Sequence, residues 1–357
     1  MLAGLRQDLR RGDFFRTMRR DYTELKEFFL DDARKARLLE MNWLKRRLYT
    51  SWWLFGILFK KLTPARRLLL VFVFFLRWII GEKIEFAGEH SQLVIHTGTI
   101  QLLILLFLLM LELKDKLLAH DELQEGRAIQ IALMPERSPK VPGWSVWLFT
   151  RTANEVGGDL VDLQTIGTET FRISLADVAG KGLKAALFTT KLQATLRALA
   201  PDLVTLAELG AKVNRIFHRD SLRNFFVSLV CIELKSNSGS VRMINAGHLP
   251  PVLVKGRAVE ETRKGDPAIG IFRESAYNED HVELKEGDLL IVYTDGLTEA
   301  KNENDEFFGT QRLLNLLPLL GDRDAADAGE MLVREVDRFI GHARAYDDLS
   351  LVILKRT

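Results

Sequence analysis

The chain has 357 residues, 47% of them hydrophobic, and a formal net charge of only +2. That length can bury a sizeable core in more than one domain, and so balanced a charge argues against a chain-wide nucleic-acid binder. Cys231 is the one cysteine, which excludes an intramolecular disulfide, and inside the run FFVSLVCIEL it reads as a small buried hydrophobe.

Residues 1–67 come first as a basic helical region with 17 Lys/Arg against 8 Asp/Glu. Trp43, Trp52 and Trp53 lie among Lys45, Arg46 and Arg47. Such a segment suits a helix on the inner leaflet of a membrane, and equally an ordinary amphipathic helix. Two apolar blocks follow: Leu68 to Ile80, which contains Arg77, and Leu93 to Leu113, with no charge before Glu112. Together, residues 68–113 read as a transmembrane helical hairpin. Lys60, Lys61, Arg66 and Arg67 before it, and Lys114 and Lys116 after it, put both ends in the cytoplasm with EKIEFAGEH as a brief outer turn. The expected location is the inner membrane, multi-pass, with lipid as a partner and the C-terminal region in the cytoplasm. The start of the chain lacks the pattern of a secretory signal peptide.

Residues 114–143 form a juxtamembrane linker helix and a boundary. The spacing predicts a helix that stops at Pro135. Met110, Leu113, Leu117 and Ile131 keep coiled-coil spacing, interrupted by His120, Gln124 and Arg127. A homodimer through this helix is expected, the alternative being a single helix packed on its own domain. ERSPKVPG then marks the domain boundary. From residue 144 to 357, the runs SVWLFT, TFRISLADV, FFVSLVCIEL, SVRMINAG, PPVLV, DLLIVYTDG and LSLVIL read as strands. Residues 183–200 and 206–220 read as a helical pair, and 310–340 hold another. Strands in groups and helices in pairs predict an α+β fold of antiparallel sheets covered by helices.

Four aspartates stand beside these apolar runs: Asp159 in EVGGDLVD, Asp177 in ADVAGKG, Asp295 in YTDGLTEA and Asp347 in AYDDLSLVIL. Singly, each could be a turn residue. Jointly, crowded carboxylates need neutralising, and oxygen ligands without His or thiol favour a hard cation, Mg²⁺ or Mn²⁺. Two such ions can activate water against a phosphate ester. GKG without a following Ser/Thr is a weak phosphate-loop signal.

These motifs, in this order, resemble the PPM family of metal-dependent protein serine/threonine phosphatases, more narrowly its bacterial SpoIIE/RsbU-like branch. The resemblance covers about residues 125–355, through AIQIALMP, EVGGDLVD, ADVAGKGLKAAL, NAGHLPP, YTDGLTEA and DDLSLVIL. It implies a central antiparallel β-sandwich flanked by helix pairs, with a two-metal site at one edge. Asp159 would bridge both ions, Asp177 and the Val178 carbonyl would hold one, and Asp295 and Asp347 the other. It also implies a phosphorylated protein substrate, a STAS-type anti-sigma-factor antagonist. Gly158 and Gly180 would permit tight backbone there, and Asp162 would support the site without binding metal. His248 reads as a structural histidine before a general acid; Lys181 faces either substrate or solvent. Relatives outside the bacterial branch carry a phosphate-binding arginine just before the bridging aspartate; here Arg151 is distant and Glu155 displaced, so none is assigned. Asp348 replaces an asparagine of those relatives. The alternatives are a catalytically silent phosphatase-fold interaction module at the membrane, and a two-metal enzyme acting on another phosphoester such as a nucleotide.

Overall fold

The computed structural model describes residues 41–357 apart from 81–82, 88–91, 201–204 and 221–224, together with residues 34, 37 and 38. It contains two compact units, divided between Leu118 and Ala119. Most of the expected basic region before residue 41, and part of the expected outer turn, lie outside the described residues.

In the first unit, α1 (Trp43–Lys61) starts at Asn42, whose side chain accepts from the Trp43 amide, and ends on Lys60 and Lys61, where cations complement the helix dipole. Helix α2 covers Pro64–Ile80, with proline at its first position, where the missing N–H costs nothing. Strands β1 (Lys83–Ala87) and β2 (Gln92–His96) form an antiparallel pair. Helix α3 (Thr97–Leu133) continues into the second unit and stops two residues before Pro135.

The expected transmembrane hairpin over 68–113 is corrected here: among the described residues no helix is long and apolar enough to cross a membrane. The reason lies in two places. Residues 93–96, counted into the second span, belong to β2, so the uncharged part of α3 runs only from Thr97 to Leu111. At 1.5 Å per residue that is about 22 Å, short of a hydrocarbon core of about 30 Å. In α2, Arg66, Arg67 and Arg77 leave an even shorter uncharged stretch.

The second unit is a sandwich of two five-stranded antiparallel sheets. One has the order β10-β7-β6-β5-β4 and the other β3-β12-β11-β8-β9. Their ranges are β3 Trp144–Arg151, β4 Asp159–Ile166, β5 Thr170–Val178, β6 Val227–Lys235, β7 Ser240–Ala246, β8 Val252–Lys255, β9 Ala258–Glu261, β10 Asp280–Glu283, β11 Leu289–Tyr293 and β12 Leu349–Arg356. Alternate residues point to opposite faces of a strand, and each sheet uses both. Val161, Ile173, Leu175, Val230 and Ile232 meet Val146, Leu148, Leu290, Val292 and Val352 between the sheets. The outer face of the first sheet (Leu160, Ala176, Leu229, Cys231) is covered by α4 (Leu183–Leu199) and α5 (Leu206–Asp220). The outer face of the second (Trp147, Ile291, Leu351, Ile353) is covered by α7 (Thr310–Leu316) and α8 (Ala325–Ile340). A four-residue helix, α6 (Asp295–Thr298), directly follows β11.

The expected α+β architecture is therefore present. Cys231 is buried in β6, and burial pushes its thiol up to about 11. Strands β4, β9 and β10 were not expected from the sequence. In β4, Asp159 and Asp162 interrupt the apolar alternation, and β9 and β10 are short edges with mostly exposed or half-buried residues.

Candidate active site

The four aspartates come to one end of the sandwich by strand direction alone. Asp159 opens β4 and lies opposite Asp177 near the end of β5. Asp295 follows β11 and Asp347 precedes β12, the neighbouring antiparallel strands of the other sheet. Two hairpin-like pairs thus present acidic residues at the same edge. Val178, the last residue of β5, is fully buried. A Cβ on Gly158 would come within 3.2 Å of its carbonyl oxygen, so the Gly158 backbone passes close beside it.

Asp159 is buried, and its Oδ2 accepts from Thr294 Oγ1 at 2.9 Å and from Ser350 Oγ at 2.6 Å. Both hydroxyls are oriented by further bonds. Thr294 Oγ1 accepts from the Ser350 amide at 3.0 Å, and Ser350 Oγ sits 2.8 Å from Thr150 Oγ1. A hydroxyl has one proton, so Ser350 gives its own to the carboxylate and takes one from Thr150. Asp159 is thereby fixed across both sheets.

Asp348 is a strut. Its Oδ1 accepts from the Ala153 amide at 2.7 Å and its Oδ2 from the Gly158 amide at 2.6 Å, which ties the loop before β4 to the start of β12. A Cβ on Gly157 would lie 2.8 Å from that Oδ2, and one on Gly296 would lie 1.9 Å from the Asp348 carbonyl oxygen. Only glycine permits either approach. Gln130, near the end of α3, braces the same loop by exchanging two bonds with Gly157, at 3.1 and 3.2 Å. Thr189 of α4 donates to the Gly158 carbonyl at 2.6 Å.

Electrostatically the carboxylates behave as one cluster. Burial, then repulsion from Asp177 and Asp348, raises Asp159 well above the usual carboxylate range, despite the Ser350 and Thr294 bonds. Burial, then Asp295, Asp347 and Asp348, pushes Asp177 up to about 7. Burial, then Glu299 and Asp347, raises Asp295. Burial also raises Asp348, against the pull of its backbone donors. A divalent cation would reverse this strain, and the donors are all oxygens, as a hard ion requires. Among the described residues no group of three or more acidic, His or Cys side chains forms a ready-made cage. The chemistry fits such ions; a rigid preformed coordination shell is not part of it.

Asp162 turns away from this cluster. It is fully buried on the α4 side of β4, held by Arg197 at 2.6 Å and Gln193 at 3.0 Å, both of which also bond the Leu133 carbonyl at the end of α3. His248 is buried, its amide accepted by Asn245 Oδ1 at 2.8 Å and its ring 3.1 Å from the Leu249 carbonyl; burial pulls it down to about 4. A neutral, walled-in imidazole fits the structural reading. Arg151 pairs with Asp337 of α8, and Glu155 with His120. The sequence reading missed Thr294, Ser350, Asp348's strut role and Gln130. A hydroxyl inside an otherwise apolar strand, as in LSLVIL, was the available signal.

The family described as Stage II sporulation protein E (SpoIIE) matches residues 167–357, which include Asp177, Asp295 and Asp347 and begin just after Asp159. Protein IcfG of Synechocystis is 26% identical over 266 residues, 66% of this chain and 41% of that protein. Phosphoserine phosphatase RsbU of Bacillus subtilis is 21% identical over 240 residues, 66% of this chain and 70% of that one. The solved SiaA-PP2C domain of Pseudomonas aeruginosa superposes with a TM-score of 0.59 at 19% identity, over 68% of this chain and 98% of that domain. That likeness speaks for the fold.

Proposed function

The chain belongs to the SpoIIE family, with a PPM-type phosphatase fold, and on that premise we propose that it hydrolyses phosphoserine or phosphothreonine on a protein. The observation that carries this is the convergence of Asp159, Asp177, Asp295 and Asp347 from four strand ends, with Asp159 locked by two hydroxyls. Asp159, Asp177, the Val178 carbonyl, Asp295 and Asp347 would hold two Mn²⁺ or Mg²⁺ ions. Such ions, when bound, supply an activated water for in-line attack and offset charge on the phosphoryl oxygens. The protein's own part is positional. Thr294 and Ser350 keep one carboxylate oxygen of Asp159 occupied, which leaves its other oxygen for a cation. Asp348 ties the loop before β4 to the start of β12, Gly296 lets the turn after β11 pass close against it, and the Gly157–Gly158 turn keeps side chains out of the approach. The substrate, as the family resemblance implies, is a phosphorylated STAS-type regulatory protein.

Attachment to the cytoplasmic face of the inner membrane belongs to the same proposal. Leu44, Leu48, Trp52 and Phe55 form one exposed stripe of α1 at three- and four-residue spacing, beside Lys45 and Arg47. Dimerisation through α3 is supported by its exposed Met110, Leu113 and Leu117.

The test is phosphate release by the full chain with Mn²⁺ from a phosphoserine peptide beside a nucleoside triphosphate. Turnover of the peptide alone supports the reading; preference for the nucleotide replaces the substrate class, and none with either leaves a binding module.

A further inference from the structure

Next to the carboxylates stands a cationic rim that the hydrolytic chemistry above does not use. We propose that Lys181 and Lys301, gathered around the Tyr346 ring, form the clamp that recognises the phosphate of a phosphopeptide; this rests on the phosphatase reading. Lys181 Nζ lies 4.8 Å and Lys301 Nζ 4.2 Å from the Tyr346 ring centroid. Lys301 also lies 5.1 Å from the Phe307 centroid, and the two rings meet edge-on at 6.2 Å. Two ammonium groups beside one exposed aromatic pair are attracted to the ring faces, an interaction that uses up none of the acceptors an anion would supply.

The donor count agrees. An ammonium has three donors. Lys181 spends two, on Asp347 Oδ2 at 2.9 Å and on the Tyr346 carbonyl at 3.1 Å, so one remains. The half-buried Lys301 ammonium makes no hydrogen bond among the described residues; the exposed Asp305 carboxylate is 4.0 Å away. A phosphomonoester dianion must approach four carboxylates, and cations fixed at their edge offset that repulsion where it begins. The ion pair to Asp347 sets Lys181 directly beside a candidate metal ligand, where the phosphoryl group has to arrive.

The rim is built, not a chance meeting of surface lysines. Residues 301–307 fold back on themselves: Lys301 bridges Phe307, and the Asn302 side chain accepts from the amides of Asn304 and Glu306 at 2.9 and 3.0 Å. The Phe308 amide donates to the Ala300 carbonyl and the Gly309 amide to the Thr298 carbonyl, each at 2.8 Å, so the hairpin closes directly onto α6, which carries Asp295. Glu303 accepts from the His342 amide at 3.1 Å and so ties this hairpin to the segment that leads to Tyr346. The exposed faces of Phe307 and Tyr346 offer the flanking peptide an apolar contact.

The experiment is steady-state turnover of a phosphoserine peptide by the full chain with Mn²⁺, and its inhibition by inorganic phosphate, in wild type, Lys301→Ala, Lys301→Arg and Lys181→Ala. The clamp predicts that Lys301→Ala raises KM and the inhibition constant of phosphate about three- to ten-fold with little change in kcat, that Lys301→Arg recovers most of both, and that the effect shrinks as ionic strength rises. Lys181→Ala weakens phosphate inhibition in the same direction. A second readout does not need turnover: fluorescence anisotropy of the labelled peptide, with and without its phosphate, on Asp159→Asn protein and on the same protein carrying Lys301→Ala. Loss of the phosphate-dependent part of binding supports the clamp. Unchanged KM and phosphate inhibition in both lysine variants, or phosphate-dependent binding that survives Lys301→Ala, overturns it. Absence of wild-type turnover counts against the phosphatase reading, and the anisotropy arm still decides the clamp.

Discussion

Ser350→Ala removes one hydroxyl from a strand that is otherwise apolar, yet it strikes the Asp159 carboxylate directly. The lost bond is short, 2.6 Å, charge-assisted and fully buried. Bonds of that kind contribute about 1.5–3 kcal/mol to the charged form. Without it, Asp159 becomes harder still to ionise. It already lies well above the usual carboxylate range, so the change moves in the direction that favours the proton over a cation. Loss of a bond that orients a metal ligand costs about 10–100-fold in affinity. The assay is calorimetric titration of Mn²⁺ at neutral pH, with the pH profile of turnover beside it. Affinity should fall by that factor and the acid limb should move to higher pH. Thr150→Val, which removes only the donor behind Ser350, should show a smaller shift of the same sign. Affinity within about two-fold of wild type, with an unmoved acid limb, would refute the assignment of Asp159 as a ligand held by these hydroxyls.

Three further outcomes follow from the same geometry. Asp177 at about 7 and the raised Asp159 mean that the folded chain holds protons the unfolded chain has already released. Their stabilisation is therefore complete below the ordinary carboxyl range and is lost as pH rises through about 7. Chelator-treated protein should melt at a higher temperature at pH 5.5 than at pH 8, Asp177→Asn should flatten the difference, and a rise in melting temperature with pH would contradict it. Asp348→Ala strands the Ala153 and Gly158 amides, about 1–3 kcal/mol for each if they stay dry, which a lowered urea midpoint should show, with Asp348→Asn intermediate. Gly296→Ala forces a methyl to 1.9 Å from the Asp348 carbonyl, so it should abolish Mn²⁺-dependent turnover while circular dichroism still reports the sandwich; near-normal turnover would show that the ends of β11 and β12 need not pass so closely there.

The sequence carried the sandwich because its strands bury one face or both, and runs such as DLLIVYTDG and LSLVIL have no other stable use. It carried the acidic cluster because several carboxylates crowded at strand ends repel one another unless a cation neutralises them. It did not carry β4, whose Asp162 is buried against Arg197 of α4, a partner far along the chain that no local pattern announces. It misjudged residues 93–113 because hydropathy counts apolar residues without asking their conformation: Gln92–His96 is as apolar in strand β2 as it would be in a span. Thr294 and Ser350 were hidden for the opposite reason, as single hydroxyls whose meaning depends on a carboxylate from the other sheet.

The most direct measurement titrates Mn²⁺ into chelator-treated full chain while phosphate release from a phosphoserine peptide is followed in parallel, for wild type, Asp159→Asn and Asp295→Asn. The account predicts that wild-type turnover rises with metal occupancy, and that both variants lose binding and turnover together. Turnover without a divalent ion, or turnover that survives Asp159→Asn at equal occupancy, would contradict it.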